Sequence, residues 1–204
     1  MQFFLNIKKH KTAIFIGFLF LVILILSIHL FKSGNGCENK KVNFKTMKTS
    51  AFTKILDTDD GINAISVWRP NSKDDYRPLG DTSSPDQTEA PSDQVVLVSG
   101  DVTPPENYKL VFQNTDKNVY SWMPIPKDGY VCLGDVITNK DEKPDTDLIR
   151  CVPYKVTKLK RGLNTTTVYQ SNSGSLMKGY ENQLISNNNK KENLRPIYEL
   201  NNSK

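Results

Sequence analysis

The sequence predicts an all-β domain, a repeat-built β-prism-like or β-sandwich fold, following one N-terminal transmembrane helix. Three observations predict it. Trp68, Pro70, Tyr76, Leu79, Gly80 and Asp81 recur 54 positions later as Trp122, Pro124, Tyr130, Leu133, Gly134 and Asp135. Six residue types at matched spacing make an internal repeat, and a repeat dictates architecture ahead of local propensity. From Ala51 to about Leu159, short runs of Val, Ile, Leu, Tyr and Phe alternate with Pro, Gly, Asn and Asp, the spacing of a sandwich, barrel or prism. The third observation is Thr12 to Phe31, which contains no Asp, Glu, Lys or Arg.

Taken in order, residues 1–11 form a tail whose Lys8, Lys9 and Lys11 precede the apolar run. Residues 12–31 read as a retained anchor, because about 20 apolar residues in a helix span a bilayer core of about 30 Å. A cleaved signal peptide is the rival, but its apolar region is shorter and ends at a small-x-small site that is absent here. The lysines on both flanks do not fix the orientation. The sequons at Asn164 and Asn201 favour a lumenal or external C-terminal part. Residues 32–50 read as a polar tether, with Cys37 available for acylation or pairing between chains.

Residues 51–180 form the β-repeat domain, with repeats at about 54–100 and 108–158 and a degraded third start at 163–180. Expected strands include Ala64–Trp68, Val95–Val98, Lys109–Phe112, Asn118–Trp122, Tyr130–Leu133 and Arg150–Val156. In each repeat a strand carries Trp inward and Pro two positions on ends its pairing, since Pro offers no ladder donor. A turn leads to Tyr and a second strand, and Gly-Asp closes the unit. Trp, Tyr and Leu would then share one apolar layer. Residues 181–204, rich in Asn and Lys, read as a loosely ordered polar tail.

Composition excludes several functions. The whole chain carries a net charge of +5, but beyond residue 31 there are 24 basic and 22 acidic residues. That balance argues against a nucleic-acid partner, which needs a concentrated basic face. The densest basic run, Lys155 to Arg161, reads as the solvated side of a strand. The only histidines are His10 and His29, so the body has no Ser-His-Asp, Cys-His or HExxH machinery. Asp81 and Asp135 read as turn caps rather than acid and base. Asp57 to Gly61 departs from a calcium loop in its glycine position and lacks the closing Glu. No catalytic residue, metal or cofactor is expected.

The candidate binding or repeat-core residues are Trp68, Arg69, Tyr76, Asp81, Trp122, Tyr130 and Asp135. Trp68, Trp122 and Arg69 could present a glycan or lipid-headgroup face, but matched strand positions favour the core for both indoles. Cys132 and Cys151 flank the second repeat's long loop. They would pair in an oxidising compartment, or serve as small apolar strand residues.

The series from Trp122 through Pro124, Gly129-Tyr130 and Leu133-Gly134-Asp135-Val136 to Arg150-Cys151-Val152 resembles the vacuolar protein sorting-associated protein 62 family. The likeness runs from about Thr53 to Lys158, with a trace to Tyr180. Met123 stands where Arg is expected, and Asp75 stands where Gly precedes Tyr in copy one. The resemblance implies a β-rich repeat fold and no particular reaction. Its relatives in large DNA viruses imply, by analogy, a viral membrane or minor capsid component. The expectation is therefore a non-enzymatic single-pass protein of virion or endomembrane. Its partners would be the bilayer and proteins of a capsid or sorting machinery. The alternative is a glycan- or lipid-binding module connected with membrane trafficking.

Overall fold

The structure, a computed structural model, describes residues 41–58, 64–160, 166–170, 176–180, 183–187 and 197–201. A compact unit spans Val42–Lys204. The expected anchor at 12–31, Cys37 and the sequon residue Asn164 lie outside the described residues. Among the described residues no helix is long and apolar enough to cross a membrane. They form β-strands and three short 3-10 helices, as an all-β chain should.

The first unit begins inside the stretch read as tether. β1 (Phe44–Thr49) pairs antiparallel with β6 (Val95–Gly100), and β4 (Arg77–Pro78) flanks β6 on its other side. The alternation that makes β1 a strand is thin, with Phe44, Met47 and Thr49 partly buried and Lys45 and Lys48 exposed. Lysines on an edge strand discourage pairing with another chain, and they also disguise the strand in sequence. β2 (Phe52–Asp57), β3 (Ser66–Pro70) and β5 (Thr82–Ser84) form a second sheet with β3 central.

The second unit repeats this plan. β7 (Asn107–Asn114), β8 (Val119–Ile125) and β10 (Val136–Thr138) form a sheet with β8 central. β9 (Tyr130–Val131) pairs with β11 (Val152–Pro153), as β4 does with β6. The register follows the sequence repeat: Trp68 opposes Thr82, and Trp122 opposes Val136. Both β2–β3 and β7–β8 carry a bulge, which adds local twist.

Pro70 is the last residue of β3, opposite Phe52, as expected, but Pro124 does not end its strand: it opposes Tyr108, and Ile125 beyond it still pairs with Asn107. Asn71 N–H donates to Ala51 C=O and Glu106 N–H to Ile125 C=O. Each proline nitrogen therefore points away from its hairpin partner. It faces the side where the β3–β5 and β8–β10 ladders reach only Trp68 and Trp122, so no ladder bond is lost there.

The third unit is fuller than a degraded start. β12 (Thr157–Lys160) pairs with β16 (Ile197–Leu200), and β13 (Thr166–Gln170), β14 (Leu176–Tyr180) and β15 (Gln183–Asn187) form another three-stranded sheet. β15 and β16 fall in residues 181–204, read from sequence as a loose tail. Ile197 is buried, with Tyr198 and Leu200 packing on the core, and burial of this kind orders a polar segment. β15 runs beside β5 and β7, and β10 beside β2, so the three sheets adjoin one another.

Three apolar clusters hold the units together. Ile65, Val67, Phe112, Val119 and Ile137 join units one and two. Leu79, Val98, Val131, Leu133 and Val152 form the second cluster, with Phe44, Val156, Tyr198 and Leu200 packed against it. Tyr108, Tyr120, Trp122, Val136 and Ile149 form the third. Phe112 is 0% exposed, and burying such a side chain stabilises by about 1.5–3 kcal/mol. The single apolar layer expected for Trp, Tyr and Leu is not formed. Trp122 lies in the third cluster, Leu133 in the second, and Tyr130 is half-buried.

Candidate functional site at the repeat interface

The two Leu-Gly-Asp segments meet. Gly134 N–H donates to Leu79 C=O (3.1 Å), and Asp81 N–H donates to Asp135 C=O (2.9 Å). A Cβ on Gly80 would fall 2.7 Å from Gly134 Cα, and one on Gly134 would fall 3.1 Å from Gly80 Cα. The repeated glycine is thus explained by close backbone approach, which a side chain would block.

Asp81 does not cap its own turn. Its carboxylate is fully buried and accepts a bidentate pair from Arg69, with Nε–Oδ1 and Nη2–Oδ2 both 2.8 Å. Oδ2 also accepts Ile137 N–H at 2.7 Å, and Arg69 Nη2 donates to Ile137 C=O at 3.0 Å. Burial alone would lower the Arg69 pKa, but the charge and hydrogen bonds of Asp81 outweigh it and hold Arg69 above its ordinary value. A planar guanidinium matches a carboxylate in this fork. The cluster therefore binds unit one to unit two through charge-assisted bonds.

The remaining repeat positions are also occupied by structure. Tyr76 and Lys73 exchange backbone hydrogen bonds across one turn, and Tyr130 N–H donates to Lys127 C=O across the equivalent one. Gly129 supplies the left-handed residue in the second turn (φ +83°), whereas Asp74 supplies it in the first (φ +52°). Asp tolerates that region better than most residues, so Asp75 can replace the glycine. Its carboxylate accepts the Ser99 hydroxyl, which holds Asp75 below the usual carboxylate range. Asp135 is fully buried, and Met123 rather than a guanidinium stands at the position equivalent to Arg69.

The tryptophans differ. Trp122 is buried and its Nε1 donates to Thr138 Oγ1 at 2.9 Å. Trp68 is half-buried, donates to Ser66 Oγ at 2.6 Å, and has Lys54 Nζ 5.9 Å from its ring centre. In the basic run, Lys155 is exposed in a 3-10 helix and Lys158 pairs with Glu199. Asn201 is exposed, its N–H donating to Val156 C=O. Among the described residues there is no cluster of three or more metal-ligating side chains.

A disulfide joins Cys132 to Cys151. It continues the β9–β11 ladder by one position, beyond Val131↔Val152. Cys151 also exchanges both backbone hydrogen bonds with Thr103. In unit one the equivalent positions are Pro78 and Leu97, which oppose one another in the β4–β6 ladder.

Sequence reasoning singled out Arg69 and Asp81 without joining them, and it missed Ile137, Ser66 and Thr138. The usable signal for the pair was two opposite charges inside one motif. No pattern marked Ile137, because the contact runs between copies.

The fold and interface define a tandem β-repeat protein whose units dock through their Leu-Gly-Asp turns. Residues 99–182 match the family model for vacuolar protein sorting-associated protein 62, the family that the Trp122 to Val136 motif resembles. That stretch covers unit two and enters unit three, and leaves out most of unit one. Among solved structures, the crystal structure of GNIP1Aa from Chromobacterium piscinae is similar at a TM-score of 0.53 and 15% identity. The match covers 70% of this chain and 32% of that chain, so it spans about a third of that protein's length and is a likeness of fold. No curated protein matches the sequence.

Proposed function

We propose that the chain is a non-enzymatic, membrane-anchored structural or interaction protein that presents its β-repeat domain to protein partners. The observation that carries this reading is the use made of the motif. Asp81 is spent on Arg69 and Ile137 N–H, Trp122 lies in the core, and the paired glycines hold backbone against backbone. The repeated motif residues assemble the scaffold, leaving its outer surfaces for recognition. The apolar run Thr12 to Phe31 supplies the anchor in this reading, and the disulfide supports a domain on the lumenal or external side. A viral membrane or minor capsid component fits the Asn/Lys-rich, single-pass form, with a capsid or sorting protein as partner.

Alkaline carbonate extraction of membranes carrying the full chain tests the anchor. Retention in the pellet is expected, and release into the supernatant overturns it. Crosslinking on intact virions or endomembranes then tests for a protein partner.

One observation favours a second reading, a glycan- or lipid-headgroup module. Trp68 keeps part of its indole exposed beneath Lys54, an amphipathic face suited to sugars or headgroups. Saturable binding to a glycan array or to vesicles, lost in Trp68→Ala at unchanged thermal stability, would establish it.

A further inference from the structure

We propose that the Cys132–Cys151 bond is a redox latch on unit two, opened by thiolate attack at Cys132 and closed in an oxidising compartment. Three features carry this. The β9–β11 ladder has only two backbone pairs, Val152↔Val131 and Pro153↔Tyr130, before the disulfide. The corresponding strand of unit one, β6, is held along its whole length by β1, from Phe44↔Gly100 to Thr49↔Val95. The β4–β6 ladder that matches β9–β11 is just as short, so covalent closure in unit two supplies the restraint that β1 adds to β6 in unit one.

The latch also sits at the docking point of the units. Cys132 lies two residues before Gly134, whose N–H donates to Leu79 C=O. Cys151 exchanges hydrogen bonds with Thr103, in the segment linking β6 to β7. Opening the bond therefore loosens one contact between units one and two, Gly134 to Leu79, and the Thr103 bridge at the head of unit two. The β1–β6 ladder, with no covalent tie to it, stays closed.

The two sulfurs are unequal. Cys151 is 0% exposed, whereas Cys132 is half-buried. Access decides which sulfur of a disulfide is attacked. A thiolate from a dithiol reductant forms a bond to Cys132 Sγ, and the S–S electron pair leaves on Cys151 Sγ, which takes a proton. The reductant's second thiolate then attacks its own sulfur in the mixed disulfide. Cys132 leaves as thiolate and is protonated. The protein gains two electrons and two protons, and the dithiol becomes a cyclic disulfide.

The experiment is hydrogen exchange on the full chain before and after dithiothreitol, with glutathione as a monothiol probe. Reduction should raise amide exchange at residues 131–135 and 151–152 at least tenfold, leave 95–99 unchanged, and reverse on reoxidation. Peptide mapping should place the trapped glutathione on Cys132. Cys132→Ser should reproduce the reduced pattern without reductant. Unchanged exchange after proven reduction would overturn the latch. So would glutathione on Cys151, or exchange that rises everywhere, which would make the bond a global staple.

Discussion

Units one and two share the order of their central sheets and, in β3–β5 and β8–β10, a register offset of 54 residues, yet they are secured by different chemistry. Unit one carries the buried Arg69–Asp81 pair and the long β1–β6 ladder. Unit two has Met123 at the arginine's position, a two-pair β9–β11 ladder, and a disulfide. A repeated backbone can thus keep its geometry while its copies exchange ionic, ladder and covalent restraint. What both retain is the glycine contact, where a Cβ on Gly80 would fall 2.7 Å and one on Gly134 3.1 Å from the facing glycine Cα.

Arg69→Met gives unit one the residue that unit two carries and should have the largest effect. It removes the guanidinium from a carboxylate that is 0% exposed, and breaking such a pair costs about 3–5 kcal/mol. The urea midpoint should fall accordingly, and Asp81→Asn on the same background should recover part of the loss. A change below about 1 kcal/mol would show that unit one does not depend on its ion pair.

The tryptophans come next. Trp122→Ala should cost about 3–5 kcal/mol as a core truncation. Trp68→Ala should cost less, because its indole is only half-buried. Thermal unfolding of the two variants ranks them, and the reverse order would contradict the difference in burial. Gly80→Ala should destabilise by about 1–3 kcal/mol through overpacking and backbone strain. Gly134→Ala should cost less, since its new Cβ has 3.1 Å to the nearest backbone atom rather than 2.7 Å.

Burial raises the Tyr108 phenol above its ordinary pKa. The folded state therefore holds the proton more tightly, and the stability it contributes is intact below about pH 10 and lost as pH rises beyond. Alkaline unfolding curves should show this, and Tyr108→Phe should remove it. The smallest effect belongs to Asp147, lowered by its hydrogen bond to Arg150. Its contribution is present above about pH 4 and fades as pH falls through the lowered value. Its side chain is 64% exposed, so solvent screening should keep the acid-side loss in Arg150→Gln comparisons under about 1 kcal/mol.

The strand expected over Arg150–Val156 shortens to Val152–Pro153, followed by a 3-10 helix at Tyr154–Val156. β3, β6, β7 and β8 were legible because Val, Ile and aromatic residues alternate there between Pro, Gly and Asp. β1, β15 and β16 were not. Lys45, Lys48, Gln183 and Glu199 break the apolar pattern, and partner strands rather than intrinsic composition make those segments extended. For the interface, the copied Asp81 and Asp135 were visible as a pair of positions. The direction of the Asp81 side chain was not, because self-similarity records what each copy contains and not which neighbour it grips.

β1 returns to pair with β6, Thr103 bridges Cys151, and β12 pairs with β16. Each block is therefore buckled by its own leading segment. Gene duplication or recombination with breakpoints near residues 101–102 and 155–156 would insert or excise a whole self-buckled block without cutting a ladder. Such a chain can lengthen by copying and then diversify one block at a time, as the ionic and covalent versions here have done.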